Sequence, residues 1–425
     1  MSHRILRSLL VLLFVFTTVN LIAQNLPDVS SVKDLPSTTP PSPRYQRLQP
    51  LSIHSLPDFL DTDVSATLTA KGQATPLALA NVISVPNFQG SFSSRGRTWP
   101  FTMMGAPPTG GAAISVPTHI IAVSLRLQNA NLVTFTTVPV GAFQTPTLNS
   151  PNFKPANYTS GTSLQFADAV QRAEFFHIMK AAWHTRLGPT AIVHTLTLTV
   201  PRFITITLNG KRTQVRTYFT SKGADGRTVV FLLDQFFDQQ ISNIVINEIN
   251  ARRFTTNAVN VALLPNTFLY SVNSSGGIGA CCTIGFHTYF TNNGTPKESR
   301  WIFGFASWIS PGVFAGGLQD VTALSHELSE IFNDPFLNNL VPAWQFPNEP
   351  GTCQNDLEVG DPVEVLANTV FPVHVSGFTY HPQTEALLQW FEQKSPSSAI
   401  SGAFSYPNTR ALTKPAVAFG PLTCP

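Results

Sequence analysis

Apolar and polar positions alternate with a period of two through much of this chain, in short runs broken by Gly and Pro. Such runs predict strands over 120–127 and 132–139. Further strands are expected over 193–200 and 203–208, where Asn209-Gly210 makes a hairpin turn into 214–220, and then over 228–233, 259–270, 282–290 and 301–308. The last two are joined through Asn293-Gly294. Two segments change the period. Over 164–186, Ala167, Val170, Ala173, Phe176 and Met179 fall at three-to-four spacing until Gly188-Pro189, which predicts a helix. Over 321–332 the composition is again helical, with Asp320 placed to cap the start and Asn333-Asp334-Pro335 to stop it. A short helix over 386–391 carries aromatics that belong to a core. These elements predict an α+β protein with a β-rich domain over 61–150, followed by a sheet-and-helix domain over 151–425.

The first 60 residues follow a different pattern. A basic start containing Arg4 and Arg7 precedes an apolar run over 8–23, which reads as a signal peptide ending near residue 24. The alternative, an uncleaved anchor, is disfavoured because the run is short for a span of about 20 residues. Residues 25–60 are rich in Pro and Ser and cannot bury enough apolar surface to order themselves, so they read as a tether. No second apolar stretch reaches spanning length, so no stable membrane span is expected once the leader is removed. Charged residues make up only 12% of the 425, about half the roughly 25% usual in soluble domains, which together with the leader points to a secreted, extracytoplasmic protein. The net charge of +3 is too small to argue for nucleic acid as a partner.

The four cysteines, Cys281, Cys282, Cys353 and Cys424, all lie in the last third. In an oxidising compartment two disulfides are expected. A bond between adjacent cysteines strains the peptide between them, so Cys281 and Cys282 are each expected to reach Cys353 or Cys424, with the pairing left open. A zinc-thiolate site is not supported, because no Cys-x-x-Cys spacing occurs.

Charge is the most uneven property of the chain. The 93 residues between Arg300 and Lys394 hold no lysine or arginine but eleven carboxylates, whereas the rest carries 26 cations against 12 carboxylates. A stretch this acidic is either spread widely in water or offset by a bound cation. At its centre stands Ser325-His326-Glu327-Leu328-Ser329-Glu330 on the expected helix. His326 and Glu330 are four apart and project from one face as adjacent ligands, with Glu327 one position round. Imidazole nitrogen plus carboxylate oxygen suits Zn²⁺, which with one open position can activate water, and Glu327 is then the general base. The competing reading is a structural helix whose Glu327 and Glu330 face water.

A third ligand is expected downstream, in Asn355-Asp356-Leu357-Glu358-Val359-Gly360-Asp361-Pro362. Glu358 is the first choice and Asp361 the second, and either could instead orient His326 by a hydrogen bond. A disulfide at Cys353 would hold this loop over the helix. His287, alone on a predicted strand, reads as a packed histidine rather than a ligand, and His374 and His381 rank below it.

The helix with its metal-ligand spacing is similar to that of the zincin metallopeptidases. The longer string, covering about 270–365, resembles the Exordium-like (phosphate-induced) secreted proteins. In that family a Gly-aromatic-His-Thr-Tyr-Phe strand, a His-Glu-Leu-x-Glu helix ending in Asn/Asp-Pro and a later Glu-x-x-Asp recur in this order, matched here by 286–290, 326–335 and 358–361. The chain departs from the zincin pattern in carrying Glu330 where a second histidine is usual, which bears on proteolysis more than on metal binding. The resemblance implies a zincin-like sheet with an active-site helix and an extracytoplasmic location. Two functions are therefore expected in alternative. One is a zinc-dependent, peptidase-like hydrolase acting on a peptide or cell-wall substrate. The other is a non-catalytic cell-surface or wall-associated protein with a structural metal site.

Overall fold

The computed structural model describes residues 82–425 apart from 160, 293–296, 315–316, 348, 365, 367, 421, 423 and 425. The leader, the tether and the Asn293-Gly294 turn lie outside the described residues. Strand exceeds helix, 45% against 18%, so the mixed α+β class holds.

The organising element is a seven-stranded sheet. We number its strands in chain order: β1 Val82–Ile83, β2 Ala113–Gln128, β3 Thr134–Val138, β4 His184–Val200, β5 Val259–Pro265, β6 Gly285–Asn292 and β7 Glu298–Trp308. Pairings run β4–β2–β5–β7–β6, all parallel except the antiparallel β7/β6 edge, with β1 and β3 extending β7 and β2. Strands joined in parallel need both faces covered, and their near-continuous apolar runs supply both. Ile120 and Ala122, with Val259, Val261 and Leu263, point to one layer. Ile121 and Val123, with Ala262, Leu264, Phe303 and Phe305, point to the other.

On the first layer lie helices α1 (Phe166–Glu174) and α3 (Thr322–Asn333). On the second lies α2 (Asp234–Asn250), which buries Phe237, Ile241 and Val245. Helix α2 has no counterpart among the elements expected from sequence, because its apolar positions are too few and unevenly spaced to stand out. The strand β2 comes from the segment 61–150, yet both of its edges bond to strands of the segment 151–425. The two segments therefore share a sheet, and no separate core divides them at residue 150.

Several local expectations change for identifiable reasons. The helix expected over 164–186 ends at Glu174, and the chain returns as β4 from His184. Side chains from the helix region pin that return: Asp168 meets His184 Nδ1 at 2.8 Å and accepts from Thr185 N, while Gln165 accepts from Leu187 N and donates to Leu187 O. Gly188-Pro189, read as a helix stop, falls inside β4 where the pairing with β2 slips register, a place that tolerates a missing N–H. The Asn209-Gly210 hairpin forms as expected, joining Phe203–Leu208 to Lys211–Arg216. Among the described residues no helix is long and apolar enough to cross a membrane.

The cysteines pair differently from expectation. Cys353 bonds Cys424, with Cα atoms 5.7 Å apart, and Cys281 bonds its neighbour Cys282. Once Cys353 and Cys424 are joined, each adjacent cysteine has no other thiol to reach.

Candidate metal centre

Helix α3 is enclosed on every side, and all twelve of its residues are buried. Leu324, Leu328 and Ile331 pack into the layer against β7 and β6, each contributing roughly 1.5–3 kcal/mol. The opposite face is polar, and its hydroxyl and amide donors are satisfied within the helix and from the loops above it. Ser325 Oγ donates to Thr322 O, Ser329 Oγ to Ser325 O and Asn333 Nδ2 to Ser329 O. Gln383 N donates to Ser325 Oγ, and Thr322 Oγ1 to His381 O. Asp320 does not cap the helix. Its carboxylate accepts from Val321 N and His381 N and meets His381 Nδ1 at 2.7 Å, so it holds the His381 loop instead.

Glu327 and Glu330 are 1% and 2% exposed, which overturns the reading in which they face water. Two neighbours bring further ligand-type atoms to them. From β6, Gly285 and His287 point toward the helix while Phe286 points to the opposite layer, the alternation a strand imposes. From the far side, the hairpin of β8 (Leu340–Phe346) and β9 (Glu349–Asp356) leads into Glu358 and Asp361. That return is fixed by Leu357 N to Asn339 O, Ala386 N to Val359 O and Gln383 Nε2 to Gly360 O, and by the Cys353–Cys424 bond.

Two groups of donor atoms result, and Glu330 belongs to both. In the first, His326 Nε2 stands 3.0 Å from Glu330 Oε1 and 3.7 Å from Asp361 Oδ1. In the second, His287 Nδ1 stands 3.3 Å from Glu330 Oε2 and 3.6 Å from Glu327 Oε2, and Glu358 Oε2, outside the group, lies 3.9 Å from the same nitrogen. His287, read from sequence as packed, is wholly buried and yet turns a ring nitrogen to three carboxylates. Its signal was present in the Gly-x-His spacing on an edge strand, but only the fold shows that the strand faces the helix. Glu385 was also missed: it is buried beside His326 with neither oxygen hydrogen-bonded. His374 lies away, exposed, near Thr379 Oγ1.

These contacts are not hydrogen bonds. His287 Nδ1, His326 Nε2, both oxygens of Glu327 and Asp361 Oδ1 are buried without a hydrogen-bond partner, and the 3.0 Å approach of His326 to Glu330 is off line. Donor atoms about 2.0–2.2 Å from one zinc ion stand roughly 3–4 Å from one another, which is the spacing found here. Outer contacts orient the donors. His287 Nε2 approaches Asp334 O at 3.2 Å, which places its proton there and leaves Nδ1 as a lone pair toward the carboxylates. Gly360 N donates to Glu330 Oε1, and Gln354 Nε2 to Asp361 Oδ2. Asp334 itself serves the turn after α3, accepting from Asn338 N and Asn339 N. The residues present could therefore hold a metal ion.

As protein groups alone, the cluster is strongly perturbed. Burial raises the Glu327 carboxyl to about 7 against the pull of His287 and His326. Burial, reinforced by Glu330, raises Glu358 and Asp361 well above the carboxylate range. Burial lowers both ring values, but Glu358, Glu327 and Glu330 raise His287, and Glu330, Glu327 and Glu385 raise His326, well above the usual range. Glu330 alone is depressed: burial opposes ionisation, and His326 and His287 overcome it. Perturbations of opposite sign within one enclosed set mark a place built to hold positive charge.

No protein-family profile matches the chain, and neither does any curated protein or solved structure.

Proposed function

We propose that this chain is a secreted metal-dependent hydrolase of the zinc peptidase type, with a peptide or cell-wall substrate. The observation that carries the reading is the first donor group: His326 Nε2 and Asp361 Oδ1, both without hydrogen-bond partners, converge with Glu330 Oε1, which accepts from Gly360 N, beside an equally unpartnered Glu327. His326, Glu330 and Asp361 would hold the zinc ion, while Glu358, the first choice from sequence, lies nearer His287. Zinc bound there supplies Lewis-acid polarisation. Glu327, buried beside the donor group with neither oxygen hydrogen-bonded, is placed to take a proton from water and return it to a leaving group. Gly360 and Gly285 leave His326 and Glu327 the space they occupy. The secreted location rests on the apolar leader over 8–23 behind its basic start.

A second reading, a structural metal site in a non-catalytic surface or wall-associated protein, draws on the near-complete burial of all these donors. A structural site closes its positions with protein ligands, whereas a catalytic one keeps an opening. Glu327→Gln separates the two when hydrolysis of a peptide library and bound zinc are measured together. The hydrolase reading expects unchanged zinc at His326 and a loss of about 10²–10⁴ in rate. Equal activity in the two proteins would sink it.

A further inference from the structure

We infer that the cluster is a two-ion centre in which Glu330 bridges, with one divalent cation between His326 and Asp361 and a second between His287 and Glu327. The inference rests on the metal proposed at His326 and extends it.

The geometry of Glu330 is the first ground. Its two oxygens turn to different histidines, Oε1 to His326 Nε2 at 3.0 Å and Oε2 to His287 Nδ1 at 3.3 Å. A carboxylate oriented in this way spans two ions about 3.5–4 Å apart, the separation of paired hydrolytic metals. Each oxygen then belongs to a set of three donors: with a ring nitrogen and Asp361 Oδ1 on one side, and with a ring nitrogen and Glu327 Oε2 on the other.

The second ground is His287. Its Nε2 is committed to Asp334 O, so the buried, unpartnered Nδ1 offers a lone pair to three carboxylate oxygens. A cation placed between these groups is held by the ring nitrogen and the carboxylates together, and an ion at His326 lies on the other oxygen of Glu330.

Charge gives the third ground. Glu327, Glu330, Glu358 and Asp361 carry four negative charges when ionised, and among the described residues no lysine or arginine pairs with any of them. One divalent ion offsets half of that charge and two offset all of it. Counting the adjacent Glu385, one ion leaves three uncompensated charges in a buried site and two leave one, and uncompensated buried charge is costly. With Oε2 turned to the second ion, Glu327 keeps only Oε1 for proton transfer.

The test is a metal count on the full chain, stripped and then titrated with Zn²⁺ or Co²⁺, with bound metal measured by elemental analysis after gel filtration. The expected result is two equivalents, one retained in His287→Ala and one in His326→Ala. In the protein holding two Co²⁺, the shared carboxylate couples the ions, so the electron spin resonance intensity falls below twice that of the one-ion variants. One equivalent in the wild type, lost in His326→Ala and kept in His287→Ala, overturns the second ion and leaves the first standing. Two equivalents with additive, uncoupled intensity overturn the bridge. A wild type that binds no metal overturns this inference and the proposed hydrolase together. If circular dichroism shows that a histidine variant does not fold, the wild-type stoichiometry decides, with Co²⁺ intensity referenced to wild type holding one equivalent.

Discussion

Gly360 lies against the ring of His326 so closely that a Cβ on it would overlap Nδ1, Cε1 and Cγ, well inside the 3.0 Å that Cβ contacts respect. The loop that brings Asp361 to the helix can approach this far only because residue 360 has no side chain. Gly360→Ala must therefore push either the ring or the loop away, separating Nε2 from Asp361 Oδ1. We expect zinc affinity to fall about 10–100-fold, the usual cost of disturbing a ligand's support. Competition against a chromophoric chelator measures it, and unchanged affinity would show that the close approach does not matter.

Gly285 stands in the same relation to Glu327, where a Cβ would overlap Oε1 and crowd Cγ and Cδ. Gly285→Ala displaces Glu327 while leaving the His326 and Asp361 contacts untouched. Hydrolysis should fall at least 100-fold, in keeping with loss of a general base. The ion at His326 should stay, so zinc content and rate measured on one preparation separate this variant from Gly360→Ala.

Glu174, which is in neither donor group, gives a pH test. It is buried at the end of α1, where Oε1 accepts from Leu388 N and Oε2 has no partner, and burial raises its carboxyl well above 4.5. A raised carboxyl binds its proton more tightly in the folded state. Its contribution is thus fully present below the unfolded value and is lost as pH rises toward the folded one. Each unit of that shift corresponds to about 1.4 kcal/mol. In urea titrations from pH 4 to 8, Glu174→Gln should remove part of the stability loss seen in the wild type. Parallel curves for the two proteins would count against it.

The Cys353–Cys424 bond closes a loop with a sequence separation of 71 around the strands and carboxylates that cover α3. Replacing both cysteines by serine should cost about 2–4 kcal/mol, within the range seen for loops of this length. Because Glu358 and Asp361 follow Cys353 closely, zinc should also be lost more readily to a chelator. Denaturant midpoints and metal retention are the two readouts. A variant equally stable and equally retentive would show that backbone pairing alone holds the loop.

By itself the sequence determined the local elements and the chemistry they carry. The period of two located most strands, the Asn209-Gly210 turn located a hairpin, and the stop at Asp334-Pro335 fixed the end of α3. The spacing of His326, Glu327 and Glu330 placed three functional groups on one turn of helix, since i and i+4 neighbours are set by local geometry alone. The cation-free composition of 301–393 announced that negative charge collects there. Only the tertiary structure decided which charges meet. It sends Asp320 to His381 and Asp334 to a turn, and it divides the loop pair, Asp361 to His326 and Glu358 to His287. It also brings in His287 and Glu385, because contacts between a strand, a helix and a distant loop depend on how layers stack. The helix stop at 188–189 and the cysteine pairing failed for the same reason: Gln165, Asp168 and the Cys353–Cys424 bond act across long stretches of chain.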